Sequence, residues 1–229
     1  MIKINKDTKV CISLAKQSGN FGTRIYNHVF EMMKMNFVYK SFSTDDLGNS
    51  LAGARALGIK GISITMPYKT PAMSFVDEMS EEVQATQSIN TIVNENGTLK
   101  AYNTDIDSTG IVLRETQDRS HLYILGAGGL SKSVKYSSLG MFENTTVVTR
   151  ENWEIIGSIK SGVVFNCTPV ANLSSEFDNK KTTFIDARVE TRTGRRLAVL
   201  QAARQFNLYT GENFPVDYVL DNIDQILEG

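Results

Sequence analysis

Apolar and polar positions along the first hundred residues switch repeatedly between a period of two and a period near 3.6. Thr8-Lys-Val-Cys-Ile-Ser-Leu14 predicts a strand, and the stretch from about Thr23 to Met35, with Ile25, Val29, Phe30 and Met33 at helical spacing, predicts an amphipathic helix. The pattern then repeats. Asn36-Phe-Val-Tyr-Lys-Ser-Phe42 predicts a second strand, Ser43-Thr-Asp-Asp the capped start of a helix reaching Leu57-Gly58, and Lys60-Gly-Ile-Ser-Ile-Thr65 a third strand. Strands separated by helices predict a parallel sheet. Thr65 and Lys69 therefore belong near its carboxyl edge, where open α/β folds hold ligands. Pro71 suits the first turn of a following helix.

Ser88-Ile-Asn90-Thr-Ile-Val and Thr98-Leu-Lys-Ala-Tyr-Asn103 flank Asn94-Glu-Asn-Gly97 and predict a hairpin, read as the antiparallel edge of this first domain. Thr104 or Asp105 caps an amphipathic helix from Ile106 to Glu115, which leads into a second domain. That domain begins with the strand from His121, a helix ending near Leu139-Gly140, and the strand Thr145-Thr-Val-Val-Thr-Arg150. A short helix near Trp153 to Ile159 and the strands Gly162–Asn166 and Lys181–Asp186 follow. The interval from Arg150 to Val163 has room for one helix and no strand, so the sheet is expected to be abbreviated. Leu197 to Phe206 reads as helix, Leu208-Tyr209 as a short strand, and Phe214 to Leu227 as a terminal helix.

The 229 residues carry 41% hydrophobic content and a net charge of −1, enough for two modest α/β cores and no global field for nucleic acid or a membrane surface. Cys11 and Cys167 lie in apolar runs, and with two histidines they make no metal-ligand pattern, so no metal is expected. Met1-Ile-Lys-Ile-Asn-Lys lacks an apolar signal core, and the expectation is a soluble cytoplasmic protein.

The chemistry gathers at Leu125-Gly126-Ala-Gly128-Gly129-Leu130-Ser131, a strand that breaks into glycines and resumes as helix. Gly126 permits a tight turn, Gly128 lets backbone approach a pyrophosphate, and Gly129, Leu130 and Ser131 open a helix whose unpaired N–H groups favour phosphate. Alone, such a turn fits an ordinary strand-to-helix loop equally well. About twenty residues on, the next strand ends at Thr149-Arg150, the distance at which a mononucleotide unit places its ribose reader.

Five motifs in order, Ile64-Thr65-Met-Pro67-Tyr-Lys69, Ile89-Asn90-Thr91, Asn103-Thr104-Asp105, Leu125-Gly-Ala-Gly-Gly129 and Asn166-Cys-Thr-Pro169, make the chain resemble the shikimate dehydrogenase family along nearly its whole length. The resemblance implies an N-terminal α/β catalytic domain, residues 1–103 completed by a C-terminal helix at 211–229, facing an abbreviated Rossmann dinucleotide domain at 104–210 across a cleft. It implies reversible hydride transfer between a nicotinamide cofactor and a ring hydroxyl of a small cyclic hydroxy acid such as shikimate, within aromatic amino acid biosynthesis. Lys69 and Asp105 match the catalytic pair, suited to taking the hydroxyl proton as hydride leaves. Thr65 and Asn90 match positions that bond substrate hydroxyls, and Asn166, Thr168 and Pro169 the loop beneath the nicotinamide. Arg150 matches the arginine that holds a 2′-phosphate, which implies NADP, with NAD possible because Glu151 follows it.

Departures gather at the recognition end. The family's Ser-x-Ser-Pro carboxylate anchor is replaced by Gln17-Ser18-Gly-Asn20-Phe-Gly22-Thr23, leaving Ser18 and Asn20 as candidate donors. The segment leading to the family's substrate glutamine is read as Gly211-Glu-Asn-Phe-Pro215-Val-Asp-Tyr218, with Tyr218 at the glutamine's place, and the tyrosine expected after Asp186 is missing. The reading is an NADP-dependent oxidoreductase, monomeric or homodimeric, acting on a small cyclic hydroxy acid. The alternative is a catalytically reduced homologue that binds a nucleotide or small acid as a sensor.

Overall fold

The computed structural model describes residues 4–177 and 181–228, and the chain divides into two compact units, Met1–Thr104 with Val199–Gly229, and Asp105–Ala198. In the first unit, β1 (Lys9–Ala15), α1 (Phe21–Met32), β2 (Phe37–Ser43), α2 (Leu47–Ala56) and β3 (Gly61–Ile64) form the parallel portion of a mixed sheet. β4 (Glu78–Met79), α3 (Glu81–Thr86), β5 (Thr91–Glu95) and β6 (Thr98–Tyr102) complete it in the order β2-β1-β3-β5-β6-β4. The hairpin was expected to be the edge of this domain, and it is not. Glu78 and Met79 pair in parallel with Lys100 and Ala101 and cover β6.

Alternation along β1 sends Cys11 to one face of the sheet and Ile12 and Leu14 to the other. The first face packs α1 through Ile25, Tyr26, Val29 and Phe30. The second packs α2 through Leu47, Leu51 and Ala54. Asp46 caps α2 by accepting from the Asn49 N–H at 2.9 Å, and Asn96-Gly97, both at positive φ, turn the hairpin in the mirror-image geometry that matches strand twist.

The second unit opens with α4 (Asp105–Glu115), followed by β7 (His121–Leu125), α5 (Gly129–Ser137), β8 (Asn144–Val148), α6 (Ile155–Ser158), β9 (Ser161–Asn166) and β10 (Lys181–Asp186). Its sheet has four strands, all parallel, in the order β10-β9-β7-β8.

After β10 the expected helix from Leu197 to Phe206 is present, but its bounds and its neighbours differ from the expectation. A single helix, α7 (Arg192–Thr210), absorbs the expected strand at Leu208-Tyr209, and from Val199 onward it belongs to the first unit, so the second unit stops well short of residue 210. The cause is packing. Val199, Ala202, Phe206 and Tyr209 fall on one helical face and fill the α1 side of the sheet. The short link from β10 is stapled: the buried Asp186 carboxylate accepts from the Arg188 backbone N–H at 3.0 Å and pairs with its guanidinium at 2.7 Å. A Cβ at Gly194 would lie 1.9 Å from the Arg188 carbonyl oxygen, so the turn closes only with glycine there. The expected terminal helix is two, α8 (Val216–Asp221) and α9 (Ile223–Glu228), interrupted at Asn222; Gly229 lies outside the described residues.

Candidate active site

The carboxyl ends of β1, β3 and β6 and the start of antiparallel β5 lie along one edge of the first sheet. From that edge β3 runs into Thr65, a cis Met66-Pro67 peptide, and Lys69. The Lys69 carbonyl accepts from the Ile89 N–H at 2.8 Å, which ties the loop to the residue before Asn90. Asn90 is wholly buried. Its Oδ1 accepts from the Thr104 N–H at 2.8 Å and the Thr91 hydroxyl at 2.8 Å, while its Nδ2 donates to the Thr104 Oγ1 at 3.0 Å. Asp105, the next residue in the chain, is the buried first residue of α4. Thr65 is exposed at the end of β3. Backbone and carboxamide bonds thus join the Lys69 loop, Asn90 and the Thr104 that precedes Asp105.

The proposed anchor residues separate. Ser18 sits at the same edge, its backbone N–H donating to the Ser43 hydroxyl at 3.0 Å and its own hydroxyl 3.0 Å from the same oxygen. Asn20 stands exposed at the N-cap of α1 without a side-chain cap bond. Tyr218 does not join them. On α8 its ring stacks on His28, and its hydroxyl lies 3.2 Å from His28 Nε2, about 12 Å along α1 from Asn20 at helical rise. α7 begins at Arg192, soon after β10 ends at Asp186, and so contains Gly194-Arg-Arg-Leu197-Ala-Val-Leu-Gln201. Gln201 stands one turn before Gln205 on the same face, and Gln205 Nε2 donates to the Asn90 carbonyl at 3.1 Å. Sequence reasoning missed both glutamines. The signal available was Gly194 followed by apolar residues leading to a glutamine.

In the second unit, Gly126 holds φ at +108°, and a Cβ there would meet the Thr168 methyl at 3.1 Å and the Ser131 hydroxyl at 3.2 Å. Gly128 caps α5 in an extended conformation, and a Cβ on it would meet nothing within 4 Å. The Ser131 hydroxyl is buried without a hydrogen-bond partner. An open glycine approach, the unpaired first N–H groups of a nine-residue helix and an orphaned hydroxyl form a donor set that fits a phosphate group. Leu130 is half-buried beside them.

Arg150 is not at a strand end. β8 stops at Val148, and Thr149 turns the chain into a 3-10 turn over Arg150–Asn152, its N–H donating to Asn152 Oδ1 at 2.6 Å. Strand pairing with β7 ends at Leu125 opposite Val148, so the chain is free to turn there. Arg150 is exposed, as is Glu151. Asn166 is buried and shapes the following loop: its Oδ1 accepts from Thr168 N–H at 3.0 Å and Thr168 hydroxyl at 2.7 Å, and its Nδ2 donates to Asp186 at 3.2 Å. Pro169 is exposed at the tip. Among the described residues no group of His, Cys, Asp or Glu is placed to hold a metal ion, and no helix is long and apolar enough to cross a membrane.

Residues 20–92 match the model of the shikimate dehydrogenase substrate binding domain. The chain is 34% identical to the shikimate dehydrogenase-like protein of Haemophilus influenzae, the alignment covering 90% of this chain and 92% of that protein. It is 29% identical to the shikimate dehydrogenase (NADP(+)) of Caldanaerobacter subterraneus subsp. tengcongensis, covering 87% of this chain and 90% of the relative. A solved shikimate 5-dehydrogenase-like protein superimposes with a TM-score of 0.80 at 29% identity, over 99% of this chain and 100% of the other. With an α/β sheet edge carrying the Lys69, Asn90 and Asp105 motifs and a glycine turn opening α5, the chain belongs to the shikimate dehydrogenase family.

Proposed function

We propose that this chain is an NADP-dependent oxidoreductase that moves a hydride reversibly between the nicotinamide and a ring hydroxyl of a small cyclic hydroxy acid. The observation that supports the reading is the bonded path from the Lys69 carbonyl through Ile89-Asn90 to the N–H of Thr104, the residue before Asp105. In this reading the first unit holds the alcohol and the second the dinucleotide. Lys69 takes the hydroxyl proton and Asp105 orients the ammonium it becomes. Thr65 and Asn90 hold ring hydroxyls, with Gln201 a further candidate from α7. Bound NADP supplies the hydride acceptor. Gly126, Gly128, Gly129, Leu130 and Ser131 would hold its pyrophosphate, Thr149 and Arg150 its adenosine 2′-phosphate, and the Asn166–Pro169 loop would flank its nicotinamide. The Caldanaerobacter relative is named for NADP(+).

The substrate follows from the uneven changes. Hydroxyl recognition is retained, while the carboxylate anchor keeps only Ser18 and Ser43 hydroxyls and Asn20. A charge-assisted bond to a carboxylate contributes about 1.5 to 3 kcal/mol, so losing two weakens shikimate binding greatly. The preferred substrate is a related cyclic alcohol with its acid group displaced or missing. The test is reduced-cofactor absorbance with shikimate, quinate and related cyclic alcohols, in the natural chain and Lys69→Ala. Lys69→Ala should lose about a hundredfold or more of turnover. Unchanged turnover in that variant sinks the acid–base assignment. A kcat/KM for shikimate at or above about 10⁴ M⁻¹s⁻¹ sinks the substrate assignment and supports a place in aromatic biosynthesis. Cofactor binding without turnover of any alcohol would make the chain a binding protein.

A further inference from the structure

We propose that Gln205 on α7 is a positioning residue that sets the carboxamide of Asn90 through the hydroxyl of Thr91. The inference rests on the reading in which Asn90 meets a ligand hydroxyl, and adds a buried group that, beside the Thr104 N–H, holds how Asn90 presents itself.

Gln205 is buried, and its carboxamide has two donor hydrogens and two acceptor positions. All four are used. Nε2 donates to the Asn90 carbonyl at 3.1 Å and to the Thr91 Oγ1 at 2.9 Å, and Oε1 accepts from the Tyr26 hydroxyl at 2.7 Å and the Ser63 hydroxyl at 3.0 Å. The orientation is forced, because the Asn90 carbonyl can only accept and so must face the Nε2 edge. Thr91 then accepts from Gln205, and its single proton goes to Asn90 Oδ1 at 2.8 Å. Together with the Thr104 N–H, which donates to the same Oδ1 at 2.8 Å, that bond holds the oxygen corner of Asn90 and leaves Nδ2 to face the Thr104 hydroxyl. Around Gln205 the Tyr39 hydroxyl donates to Ser63 at 2.9 Å and the Tyr209 hydroxyl lies 3.1 Å from the same oxygen. Burial pushes the Tyr26, Tyr39 and Tyr209 hydroxyls well above their ordinary pKa, which keeps them donors.

A merely structural glutamine would lower stability when changed and leave the direction of Asn90 alone. The measurement is therefore hydrogen exchange of the Asn90 Nδ2 protons by ¹⁵N NMR on the full chain, in Gln205→Leu, Thr91→Val and Thr91→Ser, beside steady-state kinetics with shikimate and NADP. Thr91→Val keeps the strand's shape if Gln205→Leu fails to fold, and Thr91→Ser keeps the hydroxyl. Gln205→Leu and Thr91→Val should each speed Asn90 exchange and raise KM for shikimate roughly five- to tenfold, the size of one lost hydrogen bond, with KM for NADP unchanged. Thr91→Ser should restore both, and the double variant should be no worse than the worse single, because both act on one relay. Unchanged Asn90 exchange in Thr91→Val and Gln205→Leu overturns the proposal, and that arm needs no turnover. If Asn90→Ala raises KM for shikimate and the relay variants do not, the relay fails and the ligand reading stands. If Asn90→Ala leaves KM unchanged while the relay variants alter exchange, the ligand reading fails and takes the functional half of the proposal with it.

Discussion

Gly61→Ala is the sharpest test of how α7 is seated. A Cβ at Gly61 would stand 2.3 Å, 2.5 Å and 2.6 Å from Cδ1, Cγ and Cε1 of Tyr209, well inside contact distance. The ring has nowhere to go. Tyr209 is 1% exposed, its hydroxyl lies 3.1 Å from Ser63, and it belongs to the cluster formed with Tyr26, Phe206 and Phe214. Overpacking of this kind costs about 1 to 3 kcal/mol, and with three ring atoms involved the upper part of that range is expected. For a chain of this size that is a fall in Tm of roughly 4 to 10 °C. Urea unfolding followed by far-ultraviolet circular dichroism would measure it. Tyr209→Ala in the same chain opens the space, so the double variant should lose less than the sum of the singles by about 1 kcal/mol or more. A Gly61→Ala change within about 0.5 kcal/mol of the parent, or strict additivity with Tyr209→Ala, would refute the close approach of α7 to β3.

Two further outcomes can be checked quickly. Arg150→Ala should narrow the preference for NADP over NAD by removing a charge-assisted contact worth about 1.5 to 3 kcal/mol, less whatever Glu151 opposes; calorimetry finding NAD bound as tightly as NADP by the parent would overturn that assignment. Iodoacetamide at mildly alkaline pH should label Cys167, which is partly exposed, and spare Cys11, which is fully buried with its thiol pushed up to about 12 by desolvation. NADP should slow labelling of Cys167 because it lies in the loop assigned to the nicotinamide, and equal labelling of both cysteines would contradict the packing around β1.

The sequence alone determined what local periods and local backbone chemistry can express. Alternation in Thr8–Leu14 and Asn36–Phe42 and the helical spacing of Ile25, Val29, Phe30 and Met33 located β1, β2 and α1 to within a few residues, because each element buries one face and the period records it. Asn96-Gly97 announced its hairpin because few other residues accept positive φ at both turn positions. The interval between Arg150 and Val163 was too short for a further strand, and none lies there. Tertiary contacts decided the rest. Two residues of β4 carry no period, and only pairing with β6 makes them a strand. Leu208-Tyr209 has strand propensity, yet it is helix because Tyr209 gains a buried seat over Gly61, a contact across about 150 residues that no local window contains. The same long-range packing carried Gln205 to Asn90 and left Tyr218 beside His28.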